Sequence, residues 1–395
     1  MSRRLVGLLI GLALLLLPAP LRAQSFAGFN DFLRRYGAAT PEAQSTLARS
    51  FIAWQQQRGG FPIAEDVNHV LFMYVADRVQ HDVRLVGDFR TQSFSSPYWD
   101  TAGEPLTRVG SLFYLRRTFE ADARLDYRFV VDDRNTLDPL NPRTIVSGAG
   151  NGDASVLVMP GHRVPPETVV DATVAPGSLH VVQEAWATPK VTVYLPASYD
   201  ANRTYPTLYT ADGSAWLSYI GLPTILDNLV AAKAIEPVIA VMIDADVDRS
   251  AWYNCNPEYL TYLRRVVAFV DKQYPTRAQA TARVHAGTSA GGRATAFVGF
   301  ELPELFGNVA LLSSSIGSEP SCLAQYLGDT ARPKSLRAWI ASGTYERGIH
   351  QDTEALAAFF RRAGIPVEER TVHQGHSFGA WSEDAVDMLR YVFRR

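Results

Sequence analysis

Cysteine is scarce: Cys255 and Cys322 are the only two in 395 residues. That excludes a disulfide-dense scaffold and any zinc site built from four thiolates. Excess charge is missing too. Lys plus Arg number 38 against 40 Asp plus Glu, a formal net charge of −2. No basic face for gripping nucleic acid through its phosphates is expected from that balance. After residue 17 no stretch is apolar for long enough to span a bilayer. Internal repeats and low-complexity tracts are lacking as well. What is present is a composition 47% hydrophobic and 20% charged, ordinary for globular protein and too apolar for a disordered one. At about 150 residues per domain, the length predicts two or three domains.

The first 23 residues read as an address. Arg3 and Arg4 make a basic start, and Leu5 to Leu17 is an unbroken apolar run of 13 residues. Pro18 to Ala23 follows as a helix-breaking stretch ending Leu-Arg-Ala. This is the layout of a secretory signal peptide cleaved near Ala23. The run falls short of the ~20 residues of a membrane anchor, and no cysteine lies near the cleavage point to carry lipid. The expectation is a periplasmic or secreted protein with no stable membrane insertion. In such an oxidising space Cys255 and Cys322 either pair or stay as buried thiols.

The remaining chain divides into three stretches. In residues 24–64, Phe29, Phe32, Leu33 and Tyr36 fall at helical spacing. A second helix opens at Thr40-Pro41-Glu42, with Thr40 as cap, and ends at Gly59-Gly60. In residues 65–170, short apolar runs (His69 to Tyr74, Asp82 to Val86, Ser111 to Leu115, Leu125 to Val131) alternate with turn residues. That spacing predicts a small immunoglobulin-like β-sandwich. In residues 175–395, strands at 191–195, 206–210, 238–243, 283–286, 309–312, 335–341 and 367–372 alternate with helical segments at 259–274, after Gly292, at 353–363 and at 383–393. Alternation of this kind predicts a parallel α/β sheet covered on both faces.

Chemistry gathers at the strand ends. Gly287-Thr288-Ser289-Ala290-Gly291-Gly292 lies between a strand and a helix and has the G-x-S-x-G form of a nucleophile elbow. As a bare pattern it is weak; its placement carries the reading. A sharp turn thrusts the Ser289 hydroxyl out at the carboxyl edge of the sheet. The amino end of the following helix then favours developing negative charge there.

A serine hydroxyl needs a base to take its proton. In this arrangement the partners follow in the order serine, acid, histidine. Downstream of Ser289 stand His350, His373 and His376. His376, in the loop Gln374 to Phe378 after the last strand, is the expected base; His373 belongs to the strand end. His285, on the strand before the elbow, reads as a core residue. The acid follows the penultimate strand, where Glu346 comes first and Asp352 opens the next helix. Both remain candidates, with Glu346 preferred.

The oxyanion calls for two backbone N–H groups. Ala290 supplies one, and Gly213 or Ser214, after the strand at 206–210, the other. Arg249 and the loop aromatics Trp216, Trp252, Tyr253 and Trp381 are the candidate substrate contacts. Asp246 and Asp248 have no histidine near them, and no metal site is expected.

Val191 to Pro196, Tyr199-Asp200, Tyr205 to Tyr209, Asp212-Gly213, Trp216, Arg249, the elbow, Pro303 to Gly307, Gly343 to Glu346, Gly375-His376 and Trp381 follow one another in order. This series resembles the Putative esterase family, which includes enterochelin esterases, formylglutathione hydrolases, feruloyl esterases and mycolyltransferases. Upstream, Leu85-Val86-Gly87-Asp88-Phe89 and Asp138 to Pro142 are similar to the amino-terminal early-set-like sandwich of the enterochelin-esterase branch. The resemblance implies an α/β-hydrolase fold and cofactor-free cleavage of a carboxylic ester through an acyl-enzyme. The expected substrate is a small-molecule siderophore, feruloyl or acetyl-sugar ester. The elbow's Ala290, Gln374 before Gly375, and Cys255 depart from the siderophore enzymes. The alternatives are acyl transfer of the mycolyltransferase type and a non-catalytic binding protein.

Overall fold

The computed structural model describes residues 24–76, 82–90, 99, 102–147, 152–317, 322–327 and 335–394. The signal peptide expected at 1–23 lies outside them. The chain separates into two compact units, one ending at Gly60 and the other beginning at Phe61. In the first, helices Phe29–Gly37 and Pro41–Gln56 form a hairpin. The Thr40 hydroxyl accepts the Ala43 amide at 3.4 Å, capping the second helix. Phe32 and Phe51 stack at 4.2 Å, with Phe26 edge-on to both.

The second unit begins with two antiparallel sheets. One holds Ile63–Ala64, His69–Val75, Leu112–Thr118 and Thr107–Val109; the other is built on Val83–Gly87, Arg124–Val131 and Asp153–Val158. They pack face to face through Val70, Phe72, Phe113, Leu85, Leu125, Tyr127, Phe129 and Leu157. Arg124–Val131 is buried along its whole length. Side chains alternate across a strand, so Leu125, Tyr127 and Phe129 fill this core while Arg124, Asp126 and Arg128 face the other way.

An eight-stranded sheet follows. Its order is Ser178–Val181, Val191–Leu195, Ile239–Ile243, Thr207–Ala211, Arg283–Thr288, Asn308–Leu312, Arg337–Gly343 and Val367–Val372. From Ile239–Ile243 onward all neighbours are parallel. The sheet is mostly parallel, as expected; near one edge Val191–Leu195 runs antiparallel to both of its neighbours. Nothing in an apolar run five residues long encodes its direction.

Helix Pro257–Gln273 covers one face through Tyr259, Leu263, Val266 and Val270. Helices Leu222–Ala231 and Phe378–Val392 cover the other through Ile225, Leu226, Leu229, Val386 and Leu389. The last helix starts five residues earlier than its periodicity predicts, because the Ser377 hydroxyl accepts the Gly379 amide and caps it. The elbow helix likewise begins at Ala290, ahead of the glycines. A mostly parallel sheet with helices on both faces and a strand–serine–helix turn at its centre is the α/β-hydrolase fold.

Cys255 and Cys322 form a disulfide, with Cα atoms 6.0 Å apart and a sequence separation of 67. Closing so long a loop removes unfolded-state entropy worth about 4 kcal/mol in the chain-entropy account. The double variant Cys255→Ser/Cys322→Ser should lower stability by about 2–4 kcal/mol, read from the urea midpoint. An unchanged midpoint contradicts this.

Candidate active site

Ser289 joins strand Arg283–Thr288 to helix Ala290–Glu301 at φ 55°, ψ −122°. For a residue with a Cβ, that conformation costs about 1–3 kcal/mol. The neighbouring strand holds it there. The Ser289 amide donates to the Leu312 carbonyl at 2.9 Å, and the Ser289 carbonyl accepts the Ser315 amide at 3.1 Å. Two glycines let the backbone close up. A Cβ on Gly287 would lie 2.2 Å from the Gly291 carbonyl oxygen, and one on Gly292 would lie 2.1 Å from the Ser314 hydroxyl. Packing of this kind closes the backbone beneath the serine, whose side chain reaches the cavity above the turn.

His376 comes from the loop after strand Val367–Val372. Its Nδ1 lies 2.8 Å from Glu346 Oε1, with both side chains almost wholly buried. Glu346 closes a single helical turn, Thr344–Glu346, at the end of strand Arg337–Gly343. Its second oxygen accepts the Gly343 amide at 2.8 Å. Both carboxylate oxygens are therefore fixed, which fixes the imidazole plane. Asp352 is elsewhere: it accepts the Gly317 amide at 2.9 Å, and burial pushes its carboxyl upward. His373 Nδ1 meets Asp122 at 2.6 Å. His285 is wholly buried between the Tyr259 and Thr295 hydroxyls. Burial pushes it down to about 3, so it stays neutral and structural.

A cavity of about 220 Å³ opens over the elbow, lined by Asp212, Ala215, Arg249, Thr288, Ser289, Phe378 and Trp381. Trp381 links the two halves of the site. It shares the cavity with Ser289, and its ring meets the His376 imidazole edge-on at 4.8 Å. The indole N–H donates to Ser313 Oγ at 2.8 Å, which sets the ring's tilt.

Of the predicted aromatic contacts, Trp381 alone lines this cavity, and it does so from a helix rather than a loop. Trp216 is wholly buried beneath the sheet. Trp252 packs edge-on to Tyr259 and Tyr262. Tyr253 is buried, its hydroxyl accepting the Asp212 amide at 2.8 Å. These three are core residues. They sit in helices of only three to five residues or just after one, too short to show periodicity, so they read as loop.

Arg249 reaches the cavity, but its Nε and Nη2 clamp both Asp212 oxygens at 2.7 and 2.8 Å. Asp212, part of the resemblance series but assigned no role from the sequence, is thus a wall of the site. It adopts a left-handed φ of 60°, and its carboxylate packs on Gly291, where a Cβ would lie 2.9 Å from Oδ2. Phe378, also unforeseen, packs against Tyr219 with ring centroids 4.7 Å apart and planes tilted by 35°.

Ser214 is corrected as an oxyanion donor. Its amide is committed to Asp244 Oδ1 at 2.5 Å, and its hydroxyl to Oδ2 at 2.9 Å. Gly213 and Ala290 each open a helix, so neither amide has an intrahelical acceptor. Asp246 accepts the Val247 amide and Asp248 the Ala251 amide, each serving the local backbone. Among the described residues no cluster of three or more potential metal ligands occurs, and no helix is long and apolar enough to cross a membrane.

Comparison with known proteins gives three results. Residues 186–392, more than half of the chain, match the profile of the family described as "Putative esterase". The chain is 27% identical over 218 residues to an endo-1,4-beta-xylanase/feruloyl esterase of Xylanibacter ruminicola. That match takes in 51% of this chain and 29% of the relative, so the chain spans under a third of that protein's length. Among solved structures, the enterobactin esterase FES of Shigella flexneri aligns with a TM-score of 0.71 at 19% identity, covering 87% of this chain and 98% of that one. Ferric enterobactin esterase of Salmonella typhimurium aligns at 0.70 and 18%, with the same coverage. At these identities the likeness is one of fold, and it extends over the amino-terminal β-region as well as the hydrolase sheet.

The Asp212–Arg249 clamp generates a stability prediction. Arg249→Met leaves a largely buried carboxylate against the elbow without its cation. Arg249 is 42% exposed at its side chain, so solvent screens part of the loss. Destabilisation of about 1–2 kcal/mol is expected. Asp212→Asn/Arg249→Met together should cost less than the sum of the two single changes, as a double-mutant cycle in urea would measure. Simple additivity contradicts the clamp.

Proposed function

Because the chain belongs to the Putative esterase family, we propose that it is a serine hydrolase of carboxylic esters, with Ser289 as nucleophile, His376 as base and Glu346 as orienting acid. One observation carries this reading. A strained serine at a strand–helix turn shares a cavity with the tryptophan that packs on a histidine, and that histidine is locked to a buried carboxylate.

Ser289 Oγ attacks the ester carbonyl carbon while His376 Nε2 takes its proton. Glu346 holds the Nδ1–H and offsets the imidazolium charge. The carbonyl oxygen becomes an oxyanion between the Ala290 and Gly213 amides, each donor worth about 2.7–4 kcal/mol in the transition state. The amino end of the elbow helix adds its field. Collapse breaks the bond to the alcohol oxygen, which leaves with the proton held by His376. Water then adds to the acyl-enzyme, giving its proton to His376, and Ser289 is released with the acid. The residues need no metal or cofactor for these steps.

At about 220 Å³ the cavity is smaller than typical pockets for whole drug-sized ligands, ~300–1,000 Å³. It takes one arm of an ester. Phe378 and Trp381 offer that arm flat apolar walls, which suits an aromatic acyl group such as the feruloyl group for which the Xylanibacter ruminicola relative is named. We place its action outside the cytoplasm, because residues 1–23 read as a secretory leader and the Cys255–Cys322 bridge supports the same compartment.

A fluorophosphonate should label the folded protein at Ser289, located by peptide mass. Ser289→Ala and His376→Ala should each lower kcat on a short p-nitrophenyl ester by about 10³-fold or more. Glu346→Ala should lower it by about 10²–10⁴-fold, and Asp352→Asn by less than threefold. Unlabelled wild-type protein sinks the reading, and a crippled Asp352→Asn beside an active Glu346→Ala reassigns the acid.

A further inference from the structure

The loop that carries His376 is gripped from the β-region some 250 residues earlier. The Arg124 amide donates to the His373 carbonyl at 3.1 Å, and Arg124 and Gln374 form an isolated parallel bridge. Arg124 Nη1 donates to Ser377 Oγ at 3.1 Å and reaches Asp126 Oδ1 at 3.3 Å. The Ser377 hydroxyl donates in turn to Asp126 Oδ2 at 2.9 Å. Asp88 accepts the Asp126 amide at 2.8 Å and the Trp99 indole N–H at 3.0 Å.

The Asp88 carboxyl lies directly on Gly375, where a Cβ would fall 2.1 Å from its Cγ. Gly379 leaves room for the guanidinium in the same way, its Cβ position lying 2.1 Å from Arg124 Nη2. The residues on either side of His376 are therefore each seated on this cluster. Asp88, Arg124, Asp126 and Ser377 are all more than nine-tenths buried. Burial pushes the Asp88 and Asp126 carboxyls upward, with the Asp126 charge adding at Asp88, and the Arg124 cation works against the rise in both.

A buried ion cluster is an expensive way to gain stability, since well-packed apolar residues often do as well or better. Its geometry, however, fixes a backbone path that apolar packing would leave loose. We propose that Arg124 and Asp126 are positioning residues for His376: from the amino-terminal sandwich they set the path of the histidine loop, so that the imidazole of the triad faces Ser289. This rests on the esterase reading above. It makes the sandwich part of the reaction apparatus rather than an appendage.

The test uses the full chain and four variants: Arg124→Met, Arg124→Lys, Asp126→Asn and Tyr127→Phe. Tyr127 is the control. It neighbours Asp126 on the same strand but points into the sandwich core, where its hydroxyl binds Asp138 and Asn141. For each variant, kcat and KM on a short p-nitrophenyl ester, the rate of fluorophosphonate labelling at Ser289, and Tm are measured. Misplacing a reacting group by about 1 Å costs up to ~10²-fold. Arg124→Met should therefore lower kcat and the labelling rate together by about 10–100-fold, with KM within threefold of wild type.

Arg124→Lys should recover part of that loss, and Tyr127→Phe should lower Tm while leaving kcat within twofold. A folded Arg124→Met protein with kcat within twofold of wild type overturns the proposal. So does Tyr127→Phe losing as much kcat as Arg124→Met. If Arg124→Met does not fold, the isosteric Asp126→Asn decides: a fall in kcat of fivefold or more supports the proposal, and one under twofold overturns it. Wild-type protein that neither takes label nor cleaves ester overturns the esterase reading and this one with it, whereas a labelled wild type beside equally labelled variants overturns this one alone.

Discussion

Everything in this site depends on the backbone at Ser289 staying in a conformation it would not choose. At φ 55°, ψ −122° the turn is strained, and it persists because its surroundings leave no alternative. The next strand binds the serine amide and the following loop its carbonyl. Gly287 and Gly292 allow contacts that a Cβ would forbid. Asp212, itself held by Arg249 and Tyr253, closes the turn from the opposite side. The strain places the half-buried hydroxyl at the sheet edge, beside the cavity; the helix starts at Ala290 and Gly213 bring two amides without intrahelical acceptors to the same edge.

The partner group is fixed by a different device. His376 sits on a loop, where positional precision is hardest to achieve, and the structure compensates by holding it from three directions. Glu346 sets the ring through Nδ1, Trp381 packs on its edge, and the buried cluster of Asp88, Arg124 and Asp126 sets the backbone on either side. The Glu346 turn is tied to the same β-region: Tyr345 packs its ring near Phe119 and donates its hydroxyl to Glu120 at 2.5 Å. His376 and Glu346 thus share one frame.

Much of this was legible in the sequence, for identifiable reasons. Apolar runs bounded by glycines marked the central strands. The elbow declared itself because a turn so tight needs glycine at fixed offsets from the serine. His376 and Glu346 followed from chain order along a parallel sheet, in which successive strands bring successive loops to one edge. The misreadings have physical causes as well. Trp216, Trp252 and Tyr253 lie in or beside helical turns too short to show a period, and local pattern cannot report that such a turn is buried. Which strand runs against the rest was not legible, because strand direction is a property of pairing. The grip of Arg124 on Ser377 was invisible because it joins positions 253 residues apart.

The most direct test is an experimental structure of the protein after reaction with a fluorophosphonate ester. The phosphonate should be bonded to Ser289 Oγ, with its phosphoryl oxygen within about 3 Å of both the Ala290 and Gly213 amides and His376 Nε2 facing the serine oxygen. A phosphonate on any other residue contradicts the account. So does one on Ser289 whose oxygen turns away from those amides, or whose histidine lies out of reach.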